Sequence, residues 1–279
     1  MAEIPIKGFK VLLQGDAGTG KTYSIGTLID TGLKVGYLCI GSEIESLFGY
    51  YADRGKPVPS NFAYHILESP AASWAELIDG AEKVNQFSYE MLAKMTDPNR
   101  TKQNQFINLL KVMSNFVDQR TGEVWGPVDK WSTDRVLVVD PMTAINSAVM
   151  SMVIGIKPVK AQHEWGIAQD QIEKFIKNIA MDCKCHFVLL AHVEKETDQI
   201  QGGLRLTLST LGKALPPKIP PMFSDVIYTW REVDKFWWST ANSNAVTKTR
   251  NLPIADKIVP DFGQILRKWT ARRDAGIKI

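Results

Sequence analysis

Three cysteines in 279 residues cannot build a disulfide framework. Cys183 and Cys185 stand one residue apart, a spacing that is neither the redox pair nor the usual zinc-ligand pair. No apolar run approaches the roughly 18 residues a membrane-spanning helix needs. The opening MAEIPIKGFK carries an acid and no apolar stretch, so no secretory signal is expected in it. Internal repeats and low-complexity tracts are missing too, which excludes solenoids and compositional tails. Excess charge is scarce: 33 basic against 30 acidic residues leave +3, too balanced to identify a nucleic-acid binder on its own. The expectation is a reducing, cytoplasmic setting without a membrane. What is there, 44% hydrophobic and 23% charged residues, is ordinary for a globular chain folded as a single domain over residues 1–279.

Short apolar segments alternate with helical patterns, which predicts a mostly parallel sheet flanked by helices, an α/β class. The expected strands are Phe9 to Leu13, Lys34 to Ile40, Tyr64 to Leu67, Arg135 to Val139 and His186 to Leu190. Between them, 71–133 reads as a helical insertion. It contains a helix from Ser73 to Met95, opened by a capping box of Ser73 and Glu76, and a second from Thr101 to Val117. Gln162 to Met181 is a long amphipathic helix. Glu194 to Lys213 reads as a polar, glycine-containing loop. Residues 226–279 are expected to form an antiparallel β extension, with strands at Val226 to Trp230, Phe236 to Thr240 and Ala245 to Lys248, followed by a basic helix from Asp261.

The chemistry starts at Gly15, Asp16, Ala17, Gly18, Thr19, Gly20, Lys21 and Thr22, which fit G-x-x-x-x-G-K-[ST] at every fixed position between a strand and a helix. Glycines let backbone amides approach phosphate closely, and the helix N-terminus adds positive potential. Lys21 would reach the β- and γ-phosphates of ATP, and Thr22 would place a hydroxyl on Mg2+. A second magnesium carboxylate is needed at the end of another strand. Asp140, directly after Val136 to Val139, supplies it; helix capping is its other reading, because Pro141 follows. Glu43 follows the second strand and is the candidate general base, with Glu45 as runner-up. His192 ends the strand LLAH and is the candidate γ-phosphate sensor.

These four pieces resemble the RecA-like core ATPases, in which successive strands end in a phosphate loop, a catalytic glutamate, a magnesium aspartate and a polar sensor opening a DNA-contacting loop. A closer likeness is to phage-encoded nucleotide-binding proteins of AAA type, including the RecA-like ATPases associated with phage single-strand annealing. The segments DPMT, LLAHVE, LGKALPPKIPPMFSDVIY and TKTRNLP carry it. The late Lys248 and Arg250 also look like the K-x-R-N element of DnaB-type helicases, in which a basic pair reaches the γ-phosphate held by a neighbouring subunit. Leu252 departs from the glycine usual in that pattern. The resemblance implies ATP bound between subunits, a homo-oligomeric ring or filament, single-stranded DNA as partner, and work alongside phage recombination or replication proteins.

Other readings have less behind them. A small-molecule kinase would want an arginine-rich lid, and 71–133 offers only Arg100 and Arg120. A guanine-reading N-K-x-D is missing, against a GTP switch. A nucleotide-binding scaffold or assembly factor shares the same motifs. The stretch from Asp261 to Ile279 holds Arg267, Lys268, Arg272, Arg273 and Lys278 against Asp261 and Asp274, a net +3 equal to that of the entire chain. It is a candidate phosphate-contacting surface or simply a helix end that offsets the dipole.

Overall fold

The computed structural model describes residues 6–68, 73–94, 104–155, 162–197 and 202–276. Arg100, Asp198 and Lys278 lie outside the described residues, as do Met95 and Thr101, where two expected helices were to end and begin.

In chain order, β1 (Lys10–Gly15) leads through the glycine loop into α1 (Lys21–Ile29), β2 (Lys34–Cys39), α2 (Ile44–Ala52) and β3 (Phe62–Ile66). Then come α3 (Trp74–Gln86), α4 (Tyr89–Lys94), α5 (Gln105–Ser114) and a small hairpin of β4 (Phe116–Val117) and β5 (Val124–Gly126). The chain returns to the sheet with β6 (Arg135–Asp140), α6 (Met142–Ile154), α7 (Gln162–Lys177) and β7 (His186–Ala191). It continues through β8 (Val193–Thr197), β9 (Leu204–Leu208), β10 (Asp225–Glu232), β11 (Lys235–Ser239) and α8 (Phe262–Asp274).

The central sheet has the order β11-β10-β1-β7-β6-β2-β3. All neighbours run parallel except β10 and β11. Its inner strands are apolar on both sides, as a doubly covered sheet requires. The two-residue alternation divides them. Leu12, Leu38, Leu137, Val139, Phe187 and Leu189 pack with α5, α6 and α7. Val11, Leu13, Val35, Val136, Val138 and Val188 pack with α1, α2 and α8. Every strand of the parallel part therefore delivers its C-terminal residue to one sheet edge, where open α/β sheets bind ligands.

The last part of the chain differs in detail from the expectation. β10 is not part of a separate antiparallel unit: it pairs in parallel with β1, and only β11 turns back. Ala245 and Lys248 make isolated bridges to Leu206 and Val226 rather than a strand. Glu194 to Lys213 is not simply a loop: β8 and β9 form an antiparallel hairpin. The alternation in Val193-Glu194-Lys195-Glu196-Thr197 and Leu204-Arg205-Leu206-Thr207-Leu208 is a strand signal that the glycines and charges outweighed in the sequence reading. The helix read as Gln162 to Met181 ends at Lys177 and closes in a π-turn over Asn178–Asp182. Ser73 caps α3 with Glu76 in a reciprocal capping box. Among the described residues no helix is long and apolar enough to cross a membrane.

Candidate nucleotide site

The phosphate loop takes its shape from glycine at two positions. Gly18 and Gly20 have φ of 73° and 77°, the left-handed region that side chains disfavour. At Gly15 the limit is space: a Cβ would fall 2.2 Å from Thr229 Oγ1. Thr229, on β10, meets the Thr19 hydroxyl at 2.7 Å, and Thr19 donates to the Asp16 carbonyl at 2.7 Å. β10 thus braces the loop from the side.

Lys21 is buried, and its Nζ donates to the carbonyls of Gly15 at 2.9 Å and Asp16 at 2.7 Å. Burial lowers its pKa to about 8, against the pull of Asp140 and Asp16. Thr22 Oγ1 donates to Asp140 Oδ2 at 2.7 Å, and the Tyr37 hydroxyl donates to the same oxygen at 2.7 Å. Asp140 is only 2% exposed. Burial raises its pKa to about 6 despite those two hydrogen bonds. Its carboxylate does not cap α6; Pro141 occupies the capping position there.

β7 lies between β1 and β6 in the sheet. The residue leaving β7 is therefore held between the phosphate loop and Asp140. That residue is His192, whose Nδ1 is 3.5 Å from Lys21 Nζ. Desolvation first, and then the Lys21 charge, push its pKa down. Glu43 sits half-buried at the start of α2, where Cys39 Sγ donates to its Oε2 at 3.3 Å. Its charge is close enough to raise the pKa values of Asp140 and Tyr37. Glu45, two residues further on, is exposed. Lys21, Thr22, Glu43, Asp140 and His192 are thus brought to one sheet edge.

Lys248 and Arg250 are not. The Lys248 ammonium donates to the carbonyls of Phe223 at 2.7 Å and Pro221 at 3.3 Å. The Arg250 backbone amide donates to Asp225 Oδ1 at 2.8 Å, while its guanidinium is exposed and has no partner among the described residues. Asp225 pairs in register with Val11, and the phosphate loop begins at Gly15, about 13 Å along the strand. Arg250 therefore lies at the end of the sheet away from its own chain's loop.

Three residues escaped the sequence reading. Tyr37 was hidden inside an apolar strand, although a hydroxyl in such a strand is itself a signal. Thr229 becomes visible only once β10 lies beside β1, and Asp225 only once the 249–251 turn folds against β10. Asp225 is fully buried and accepts from Ser224, Thr249, Arg250 and Asn251, so it organises the entire K-x-R-N turn.

Residues 7–251 match the family described as an AAA domain. The chain belongs to that family. This AAA domain is a P-loop, ATPase-like nucleotide-binding unit, in agreement with the loop geometry. No curated relative matches it. Among solved structures it is similar to a unique ATP synthase subunit, NeqB, from Nanoarcheaum equitans, with 9% identity and a TM-score of 0.38. The match covers 81% of this chain and 46% of that one, less than half of that protein's length.

Proposed function

We propose that this AAA domain binds ATP with Mg2+ and hydrolyses it to ADP and phosphate. We further propose that it acts as a RecA-like protein on single-stranded DNA, in phage recombination, repair or replication. ATP would be shared between two subunits of a ring or filament. The observation that carries the reading is the convergence of Lys21, Thr22, Glu43, Asp140 and His192 at one sheet edge.

The donor set fits magnesium. The Thr22 hydroxyl and the Asp140 carboxylate are hard oxygen donors in contact with each other, and the buried carboxylate lacks a full counter-charge. These two residues would hold the ion. The chemistry it would supply there is neutralisation of phosphate charge. Lys21 exchanges the carbonyls of Gly15 and Asp16 for phosphate oxygens. Glu43 accepts a proton from water as the water oxygen bonds to the γ-phosphorus. The bond to the β,γ-bridging oxygen breaks, and its electron pair leaves with ADP.

His192 registers loss of the γ-phosphate. Its carbonyl accepts from the Ser209 amide at 2.9 Å, so a ring shift reaches both ends of the β8–β9 hairpin. Lys195 and Arg205, on opposite faces of that hairpin, are the cations it offers to DNA phosphates in this reading. Arg250, exposed and far from its own loop, supplies the transition-state cation to the neighbour's ATP, with Lys248 holding the turn.

The test is the ATPase rate with and without single-stranded DNA for the wild type, Lys21→Ala, Glu43→Gln and Arg250→Ala. DNA-stimulated turnover, lost in all three variants and partly restored on mixing Lys21→Ala with Arg250→Ala, is the expected result. A rate indifferent to DNA at low salt refutes the DNA role. Nucleotide binding without turnover in the wild type leaves a scaffold instead of an enzyme.

A further inference from the structure

The strand order also fixes which way a bound nucleotide must run. Asp140, His192 and Glu43 follow β6, β7 and β2, all on one side of β1. The γ-phosphate end of a nucleotide belongs with them. The nucleoside end must then leave the loop toward the other side of β1, where β10 and β11 stand.

An aromatic surface waits there. The β10–β11 hairpin lays the Phe236 ring on the phosphate loop, so that a Cβ on Gly20 would meet it at 2.8 Å. The Tyr23 ring, in the first turn of α1, lies 6.3 Å from Phe236, centre to centre. Both rings are half-buried. Tyr23 is held from behind: its ring meets Tyr50 edge-on at 5.0 Å, and Arg54 Nη1 donates to its hydroxyl at 2.7 Å. Arg54 in turn covers the Tyr50 ring at 3.7 Å. Two aromatic rings, one of them propped by a cation and a second tyrosine, stand where the β10–β11 hairpin meets the loop and the first turn of α1.

Resting on the nucleotide reading above, we propose that Phe236 is the stacking platform for the nucleobase, with Tyr23 as its second wall. A π-face holds any purine without reading its edge, so the platform contributes affinity rather than a choice between adenine and guanine. The glycine at position 20 is required twice over, for its φ and for room under the Phe236 ring.

The experiment is equilibrium binding of ATP, GTP and inorganic tripolyphosphate, each with magnesium, to the full chain and its variants. Phe236→Leu keeps an apolar side chain against Gly20 but removes the π-face. It is expected to weaken ATP and GTP alike, about tenfold or more, with tripolyphosphate unchanged. Phe236→Trp is expected to bind ATP at least as well as the wild type. Unchanged ATP affinity in Phe236→Leu overturns the proposal. So does an equal loss for tripolyphosphate, which would make Phe236 a prop for the loop. Lys21→Ala separates the two layers: it should lose all three ligands. A wild type that binds neither ATP nor tripolyphosphate defeats the nucleotide reading itself, and the platform with it.

Discussion

The Thr22 hydroxyl donates to the Asp140 carboxylate at 2.7 Å across 118 residues of sequence. Tyr37 donates to the same oxygen, and the carboxyl is nearly out of reach of water. Two neutral donors do not offset the desolvation of a charge, so the proton is held until about pH 6.

That carboxyl makes the empty fold less stable as pH rises. Its folded pKa lies above its ordinary value, so its favourable contribution is complete below 3.8 and is lost as pH passes through about 6. Asp140→Asn keeps an acceptor for both hydroxyls and removes the charge. We expect it to be more stable than the wild type at pH 7.5 by about 2 kcal/mol, with little gain at pH 4. Urea unfolding at the two pH values checks this, and lower stability at pH 7.5 would refute it. The same variant should lose the magnesium dependence of nucleotide binding.

Lys21 titrates in the opposite direction. Its pKa falls to about 8 because the ammonium is buried. A bound polyphosphate supplies the missing negative charge and pulls the pKa back up. Binding between about pH 8 and 10 should therefore take up a proton, and affinity should decline as pH rises through that window. Calorimetry in two buffers of different ionisation enthalpy measures the uptake. Equal apparent binding enthalpies in the two buffers would refute it.

Asp225 carries the turn that presents Arg250. Five hydrogen bonds converge on its fully buried carboxylate. Asp225→Ala strands the amides of Arg250 and Asn251, and should destabilise the fold by about 3 kcal/mol. Arg250→Ala, which removes only an exposed side chain, should shift stability by less than about 0.5 kcal/mol. Equal effects of the two substitutions would show that the turn does not depend on Asp225.

The β10–β11 connection holds a strained residue. Val233 has φ of 55°, a conformation a β-branched side chain resists, and it is 83% exposed. The turn between Glu232 and Lys235 has two residues, a length that favours Asn or Gly. Val233→Gly should raise stability by about 1 kcal/mol. A thermal melt that moves down instead would mean the valine has a contact that outweighs its backbone.

Much of the site was legible because each piece is local. The glycine loop is eight consecutive residues. Asp140, Glu43 and His192 each directly follow or closely trail an apolar strand. Period-two and helical patterns located the sheet strands to within a few residues, because burial on both faces leaves mostly apolar residues in the inner ones. The hairpin β8–β9 was missed because its strands carry exposed charges. Tyr37 and Asp225 were missed because the partners that define their roles, Asp140 for one and the 249–251 turn for the other, are far along the chain.

The residue types at the phosphate loop, and the fact that acids and a histidine terminate strands, belong to the sequence, since they depend on neighbours one to eight positions away. Strand order does not. That β7 stands between β1 and β6, holding His192 beside Lys21, follows from how seven strands share two layers of helices. That β10 joins the opposite side of β1, bringing Thr229 to the loop and Phe236 onto Gly20, follows from the same packing. Local hydrogen bonding and periodicity select the elements. Burial of both sheet faces selects their neighbours, and the neighbours decide which side of the loop faces Asp140 and which faces the rings.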